Sequence, residues 1–232
     1  FPSGSGDVKP VIDALSADAA LRGEPLVMSG VTKESVAALE TLFPGRFTFE
    51  ETRDHFDYIY ESEKLITLSG KKLHSKRNFI NRFQAEHEGG WSFEAITPEN
   101  IAECWSMNTR WCEQNGCGED PSLMEELCAV RNCFENFSAL GLRGGLLRVD
   151  GHVVAYTMGL PLNSDTFIVH IEKAFSDVAG AYPMINREFA AHNCADFKYV
   201  NREDDVGDEG LRRAKLSYKP AILLEKFIVT EQ

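Results

Sequence analysis

The sequence predicts an α/β protein with mixed sheets and helices on both faces: one complete lobe preceded by a partial copy of the same order. Three observations carry this. From Trp91 onward, apolar periodicity reads β-α-α-β-β-β-α-β-α-β. Asp150-Gly151 sits between two apolar runs as a two-residue hairpin turn. The residues before Lys71 read α-β-α-β-β, repeating the second half of that order. A run of antiparallel strands followed by alternating helices and strands gives a mixed sheet covered on both sides.

Taken in order, a glycine-containing PSGSGD opening leads into a helix over Val8–Leu21. With no initiator Met, this reads as a fragment beginning inside a domain. Pro25–Ser29 is expected as a strand, and Thr32 as the cap of a helix to Leu42. Phe47–Glu51 and Tyr58–Leu68 are expected as strands, and Lys71 to about His87 as a helix. The expected division is a partial lobe over 1–70, a basic connecting helix over 71–89 and a complete lobe over 90–232.

In the second lobe, Trp91–Ile96 alternates as a strand and Thr97-Pro98 offers a cap and first helical residue. Ile101, Cys104, Trp105, Asn108, Trp111 and Cys112 recur at helical spacing, and both tryptophans are assigned to the core. Gly116 and Gly118 end that helix, and Asp120-Pro121 opens the next along Leu123, Leu127, Val130 and Phe134. A meander follows over Leu142–Val149, His152–Leu160 and Thr166–Lys173. Then come a helix near Tyr182–Asn193, a strand at Phe197–Asn201, a short helix over Asp208–Leu216 and a last strand over Ala221–Val229. This order is similar to that of the Gcn5-related N-acetyltransferase (GNAT) fold.

Composition narrows the function. The chain has 24 Lys+Arg against 36 Asp+Glu, a formal charge of -12, which excludes a general nucleic-acid coat. Between Glu63 and Glu86 there is no acid, yet Lys64, Lys71, Lys72, Lys76, Arg77 and Arg82 fall there. A cationic stretch in an anionic protein is a place to hold an anion. No apolar run approaches the ~20 residues of a membrane span, and no signal peptide is visible. The six cysteines form no CxxC or other metal-ligand spacing, so no metal is expected. They read as reduced, packed thiols of a cytoplasmic protein.

Five segments together resemble one family. They are DYIY from Asp57, LSGKKLHSKRNFINRF from Leu68, HIEKA from His170, VNREDD from Val200 and GLRRAKLSYKP from Gly210. The family is that of the phosphatidylglycerol lysyltransferase C-terminal domain, long catalogued as a domain of unknown function. The resemblance covers nearly the whole chain. It implies a tandem GNAT fold related to the Fem-type peptidyltransferases, the first copy here being incomplete. Members with a membrane domain move an aminoacyl group from tRNA to a lipid headgroup; this sequence resembles the soluble branch.

GNAT-type transfer needs a grip on a phosphate-bearing donor, donors aimed at a developing oxyanion, and a proton path from the attacking amine. For the donor, the sequence offers Lys72, Lys76 and Arg77 on the basic helix. It also offers the loop from Phe175 to Ala181 ahead of a helix N-terminus. That loop lacks the Q/R-x-x-G-x-G/A pattern of acetyl-CoA enzymes, which leaves room for another donor. Glu172 and Glu203 are the acid–base candidates and Tyr218 the proton donor to the leaving group. Asn201, Arg202, Asp204 and Lys215 gather near the same strand ends and are expected to bind substrate. Glu172 could instead form a structural ion pair with Arg202, and Asp208 and Glu209 a helix N-terminal charge cluster. The expected activity is acyl or aminoacyl transfer from acyl-CoA or aminoacyl-tRNA to a small amine or hydroxyl acceptor, with no tightly bound cofactor and tRNA as the macromolecular partner. The alternative is a non-catalytic module of the same fold that binds an anion.

Overall fold

The computed structural model describes residues Phe1–Gln232. In chain order the elements are α1 (Val8–Leu21), β1 (Val27–Thr32), α2 (Lys33–Leu42), β2 (Phe47–Glu51), β3 (Asp57–Glu61), α3 (Ser62–Thr67) and α4 (His74–Glu86). There follow β4 (Trp91–Ala95), α5 (Ile101–Asn115), α6 (Pro121–Glu135), β5 (Arg143–Val149), β6 (His152–Pro161) and β7 (Thr166–Ala174). The last are α7 (Ala181–Asn193), β8 (Tyr199–Asn201), α8 (Glu209–Ser217), β9 (Ile222–Leu224) and β10 (Lys226–Glu231).

The chain divides into two compact units, but not as consecutive stretches. The first gathers Phe1–Tyr58 with Glu203–Lys215 and Ile222–Gln232; the second holds Ile59–Arg202 with Leu216–Ala221. The reason is β10, which lies at the centre of a three-stranded antiparallel sheet, between β1 and β2. A lobe cut at residue 70 would lack its middle strand. Around that sheet, Asp7 caps α1 by accepting from Lys9 N, and Thr32 caps α2 from Ser35 N. Ile12 and Ala19 of α1, Leu39 of α2, and Val31, Phe47 and Val229 of the strands form the buried core.

In the second unit the strands follow the order β4-β5-β6-β7-β8-β3. The β5–β6 turn is Asp150-Gly151, both left-handed at φ 47° and 80°, as a two-residue hairpin matched to strand twist requires. At Gly159 a Cβ would lie 2.0 Å from the Ile168 carbonyl oxygen, so only glycine lets β6 approach β7 there. Gly159→Ala should therefore cost about 1–3 kcal/mol, read as a lower urea midpoint. An unchanged midpoint would show that the strands are not so close. Leu146, Leu147, Tyr156, Met158 and Phe167 are fully buried; Tyr156 meets Asn108 of α5 and Phe134 of α6, while the Phe167 ring lies 5.7 Å from that of Phe189 on α7. α7 is the crossover that makes β8 parallel to β7.

Several local expectations are corrected. The run after β3 bends into α3 at Ser62 instead of extending as strand to Leu68, because Leu65 and Leu68 bury at helical spacing. The basic segment starts with a 3₁₀ turn over Lys71–Leu73 before α4. Thr97-Pro98 opens a turn, and α5 begins only at Ile101. The last strand is two, β9 and β10. Cys112 and Cys117 are disulfide-bonded: Gly116, left-handed at φ 70°, ends α5 and brings their Cα atoms to 5.0 Å. Cys104 and Cys194 are buried thiols whose pKa burial pushes up to about 12, while Cys128 is exposed. Trp105 and Trp111 are half-buried, each beneath a cation: Arg131 at 5.3 Å and Lys173 Nζ at 3.7 Å.

Candidate functional site

In the second unit the β7–β8 ladder stops early. The paired residues run only from Thr166↔Tyr199 to Ile168↔Asn201, so β7 continues to Ala174 after β8 has ended. Glu172 lies on this continuation. Its Oε1 accepts from Arg202 Nη2 at 2.7 Å and its Oε2 from Asn186 Nδ2 of α7 at 3.0 Å. Both side chains of the ion pair are only 11% exposed.

Aromatic rings enclose the guanidinium. Arg202 lies 5.0 Å from the Tyr218 ring centroid and 5.7 Å from that of Tyr60, and the two rings meet edge to face. Burial opposes the Arg202 charge, but Glu172 and the two tyrosines outweigh it and raise its pKa. Tyr218 is held above its ordinary pKa by burial, against the pull of Arg202. On the same ring rests Lys76 of α4, its Nζ 4.2 Å from the centroid. Burial, and then the nearby Arg202 charge, lower the pKa of Lys76, while Glu172 pulls it up.

Lys76 also lines an open groove of about 270 Å³ with Phe79 of α4. The opposite wall is Phe175, Val178, Tyr182 and Pro183, from the β7–α7 loop and the start of α7. The two donor candidates of the sequence, the basic segment and the 175–181 loop, thus share one groove. The loop itself is a poor phosphate cradle. Ala181 N–H donates to Val178 O, Pro183 has no N–H, and Met184 N–H donates to Gly180 O. Gly180 is there for packing: left-handed at φ 85°, it has the Phe79 carbonyl oxygen 2.5 Å from where a Cβ would stand. The other basic residues divide. Lys72 is exposed, whereas Arg77 is committed to the fold, donating to the carbonyls of Leu68 and Gly70.

Glu203, Asp204 and Lys215 belong to the first unit. Lys215 is buried and donates to the carbonyls of Glu203 and Asp204, and Tyr58 N–H also donates to Glu203 O. The Asp204 carboxylate meets His55 Nδ1 at 3.0 Å. Between them and α8 lies Asp205, which was not among the candidates named from the sequence. Asp205 is fully buried and accepts from Tyr58 Oη, from Arg212 Nε and Nη2 at 2.9 and 2.7 Å, from Arg53 at 3.4 Å, and from Gly207 N–H. Burial works against its charge, but Arg212, Tyr58 and Gly207 outweigh it and hold the carboxyl well below its ordinary pKa. The loop it anchors is strained, with Glu203 at φ 55° and Val206 at φ 45°. Asp208 caps α8 through Leu211 N–H at 2.6 Å, the structural role expected of it.

Of the three acid–base candidates, Glu172 and Tyr218 therefore meet around Arg202 in the second unit, with Lys76 beside them. Asn201 ends the β8 ladder there, buried. Glu203 is placed in the first unit. Asn186 was missed; its only sequence signal was a polar residue on the apolar face of α7.

Comparison with known proteins agrees with this architecture. A conserved protein of unknown function from Bacteroides thetaiotaomicron is 44% identical, with a TM-score of 0.96 covering 100% of this chain and 78% of that one. L-PGS from Bacillus licheniformis, 16% identical, shares the fold at a TM-score of 0.67 over 99% of this chain and 75% of its own. So does a tandem GNAT protein from the clavulanic acid biosynthesis pathway, 10% identical, at 0.52 over 97% and 69%. An uncharacterised protein of Mycoplasmoides gallisepticum is 26% identical over 177 residues, 75% of this chain, and the match spans about half of that relative, 55% of its length. The family described as "Phosphatidylglycerol lysyltransferase, C-terminal" matches residues 1–230, and the chain, with its mixed sheets and acyltransferase-like fold, belongs to that family.

Proposed function

We propose that this protein transfers an aminoacyl group from aminoacyl-tRNA to a small amine or hydroxyl acceptor, with the reaction centred on the Glu172–Arg202–Tyr218 cluster. The observation that carries the choice of donor is the start of α7. An acyl-CoA enzyme of this fold grips a pyrophosphate with several N–H groups at a helix N-terminus. Here Ala181 N–H is already bonded and Pro183 has none, which leaves Tyr182 in that first turn. The donor's phosphates must then be met by side chains, and the acid-free stretch from Lys64 to Arg82 supplies cations, with Lys72 exposed.

The cluster suits acyl transfer. Glu172 fixes the Arg202 guanidinium from one side and the tyrosine rings fix it from the other. A charge held in place stabilises an oxyanion without reorganising as the charge develops. The Tyr218 hydroxyl, kept protonated by its raised pKa, is a hydrogen-bond donor that steadies a leaving oxygen without giving up its proton.

Thermal shift on this chain tests the donor, because a ligand at 100 times its dissociation constant adds about 2.7 kcal/mol of stability. Charged tRNA should stabilise the protein strongly at low salt and weakly at high salt, whereas acetyl-CoA should not. Stabilisation by CoA thioesters alone would overturn the reading. Stabilisation by charged tRNA with no transfer of the amino acid to any amine or hydroxyl would assign a binding module instead.

A further inference from the structure

Glu172, the residue expected to take the proton from the attacking amine, is poorly placed to do so. Each of its oxygens already accepts a short bond, from Arg202 and from Asn186. The nitrogen beside it is differently situated. Lys76 Nζ has no carboxylate within 4.0 Å and makes no hydrogen bond, yet it is half-buried, borders the groove and sits over the Tyr218 ring. An ammonium in such a place is held by no protein acceptor, whereas a neutral amine there keeps its lone pair available.

We propose that Lys76 is the proton shuttle of the transfer reaction, taking a proton from the attacking amine and returning it to the leaving oxygen; this rests on the transfer function inferred above. The step balances. The amine nitrogen attacks the acyl carbon, the C–N bond forms, and the C–O bond to the donor's ribose breaks. One proton passes from that nitrogen to Lys76 Nζ and then to the ribose oxygen, so Lys76 ends as it began. The groups facing it fit the task. Arg202 disfavours a resting positive charge on Lys76, and Glu172 tempers that effect. The Tyr218 ring face stabilises the ammonium while it lasts. Along α4 and the turn before it, Lys72 is exposed and Arg77 is turned to the Leu68 and Gly70 carbonyls, while Tyr182 is the other titratable group of the groove wall.

The test is chemical and does not depend on the natural donor. p-Nitrophenyl acetate acylates neutral amines, and mass spectrometry locates the acetyl groups. At neutral pH, Lys76 should be acetylated several-fold faster than exposed Lys72, because burial and the Arg202 charge lower its proton affinity. Its rate should also fall at a lower pH than that of Lys72. Nζ titration followed by nitrogen NMR reads the same property without access of a reagent. If Lys76 labels no faster than Lys72 and titrates with it, the proposal is overturned, whether or not aminoacyl transfer is observed. Fast labelling in a protein that transfers nothing would leave the reactive amine standing and sink the function instead. Where transfer is observed, Lys76→Arg keeps the cation but loses the available lone pair. It should abolish turnover while retaining tRNA-dependent stabilisation; retained turnover overturns the shuttle.

Discussion

Replacing Asp205 by asparagine should destabilise the protein by about 3–5 kcal/mol, the cost of removing one partner from a buried charge network. Asp205 is fully buried and collects bonds from Arg212, Arg53, Tyr58 and the Gly207 N–H. Asparagine keeps the size but not the charge, and its amide nitrogen would face a guanidinium. Little can compensate, because the remaining Arg212 contact is to Asp54, which is 61% exposed and therefore weak. The same carboxylate holds the strained turn with Glu203 and Val206 in left-handed conformations, so the loop should lose protection from amide exchange as well.

The pH dependence of that loss gives an independent check. The folded-state pKa of Asp205 is lowered below an unfolded value of about 3.9. Its contribution is then complete above that value and disappears as pH falls towards the folded pKa, because the unfolded chain binds the proton first. Urea midpoints of the parent and of Asp205→Asn should lie far apart at pH 7 and draw together below about pH 4. Parallel curves down to pH 2 would show that the carboxylate is not the source of the difference.

Much of the fold could be read from local pattern. α1 and β2 have the bounds their periodicity predicts, and Asp150-Gly151 makes the hairpin its residue types require. What could not be read depends on distant partners or on ambiguous spacing. β10 joins β1 and β2 from the far end of the chain, and nothing in its six residues names those partners. Ser62–Thr67 has too few apolar residues to separate a period of two from one of 3.6. The Cys112–Cys117 bond depends on the left-handed turn at Gly116, which the spacing of two cysteines does not reveal. At the site, the Glu172–Arg202 pair was legible because a charged residue on a covered strand needs a partner and Arg202 follows the neighbouring strand. Lys76 beside Tyr218, and Arg212 on Asp205, join residues well over a hundred apart in one case and a helix to its preceding loop in the other.

Glu172→Gln separates the structural from the catalytic account of the same residue. A purely catalytic carboxylate could be made an amide with the fold intact and turnover reduced. The structure predicts otherwise: Arg202 would keep its charge, 11% exposed between two tyrosine rings, without its counter-ion. The expected loss is about 3–5 kcal/mol, measured by urea unfolding. The paired variant Glu172→Leu with Arg202→Met removes both charges and should recover most of that loss, since a buried ion pair replaced by apolar groups is often neutral. The two variants also act differently on Lys76. Without Glu172 the uncompensated Arg202 charge pushes the proton affinity of Lys76 further down, and without both charges burial alone lowers it. Acetylation of Lys76 should therefore begin at a lower pH in Glu172→Gln than in the parent. A stable Glu172→Gln whose Lys76 labels as in the parent would show that Glu172, Arg202 and Lys76 do not act as one electrostatic unit.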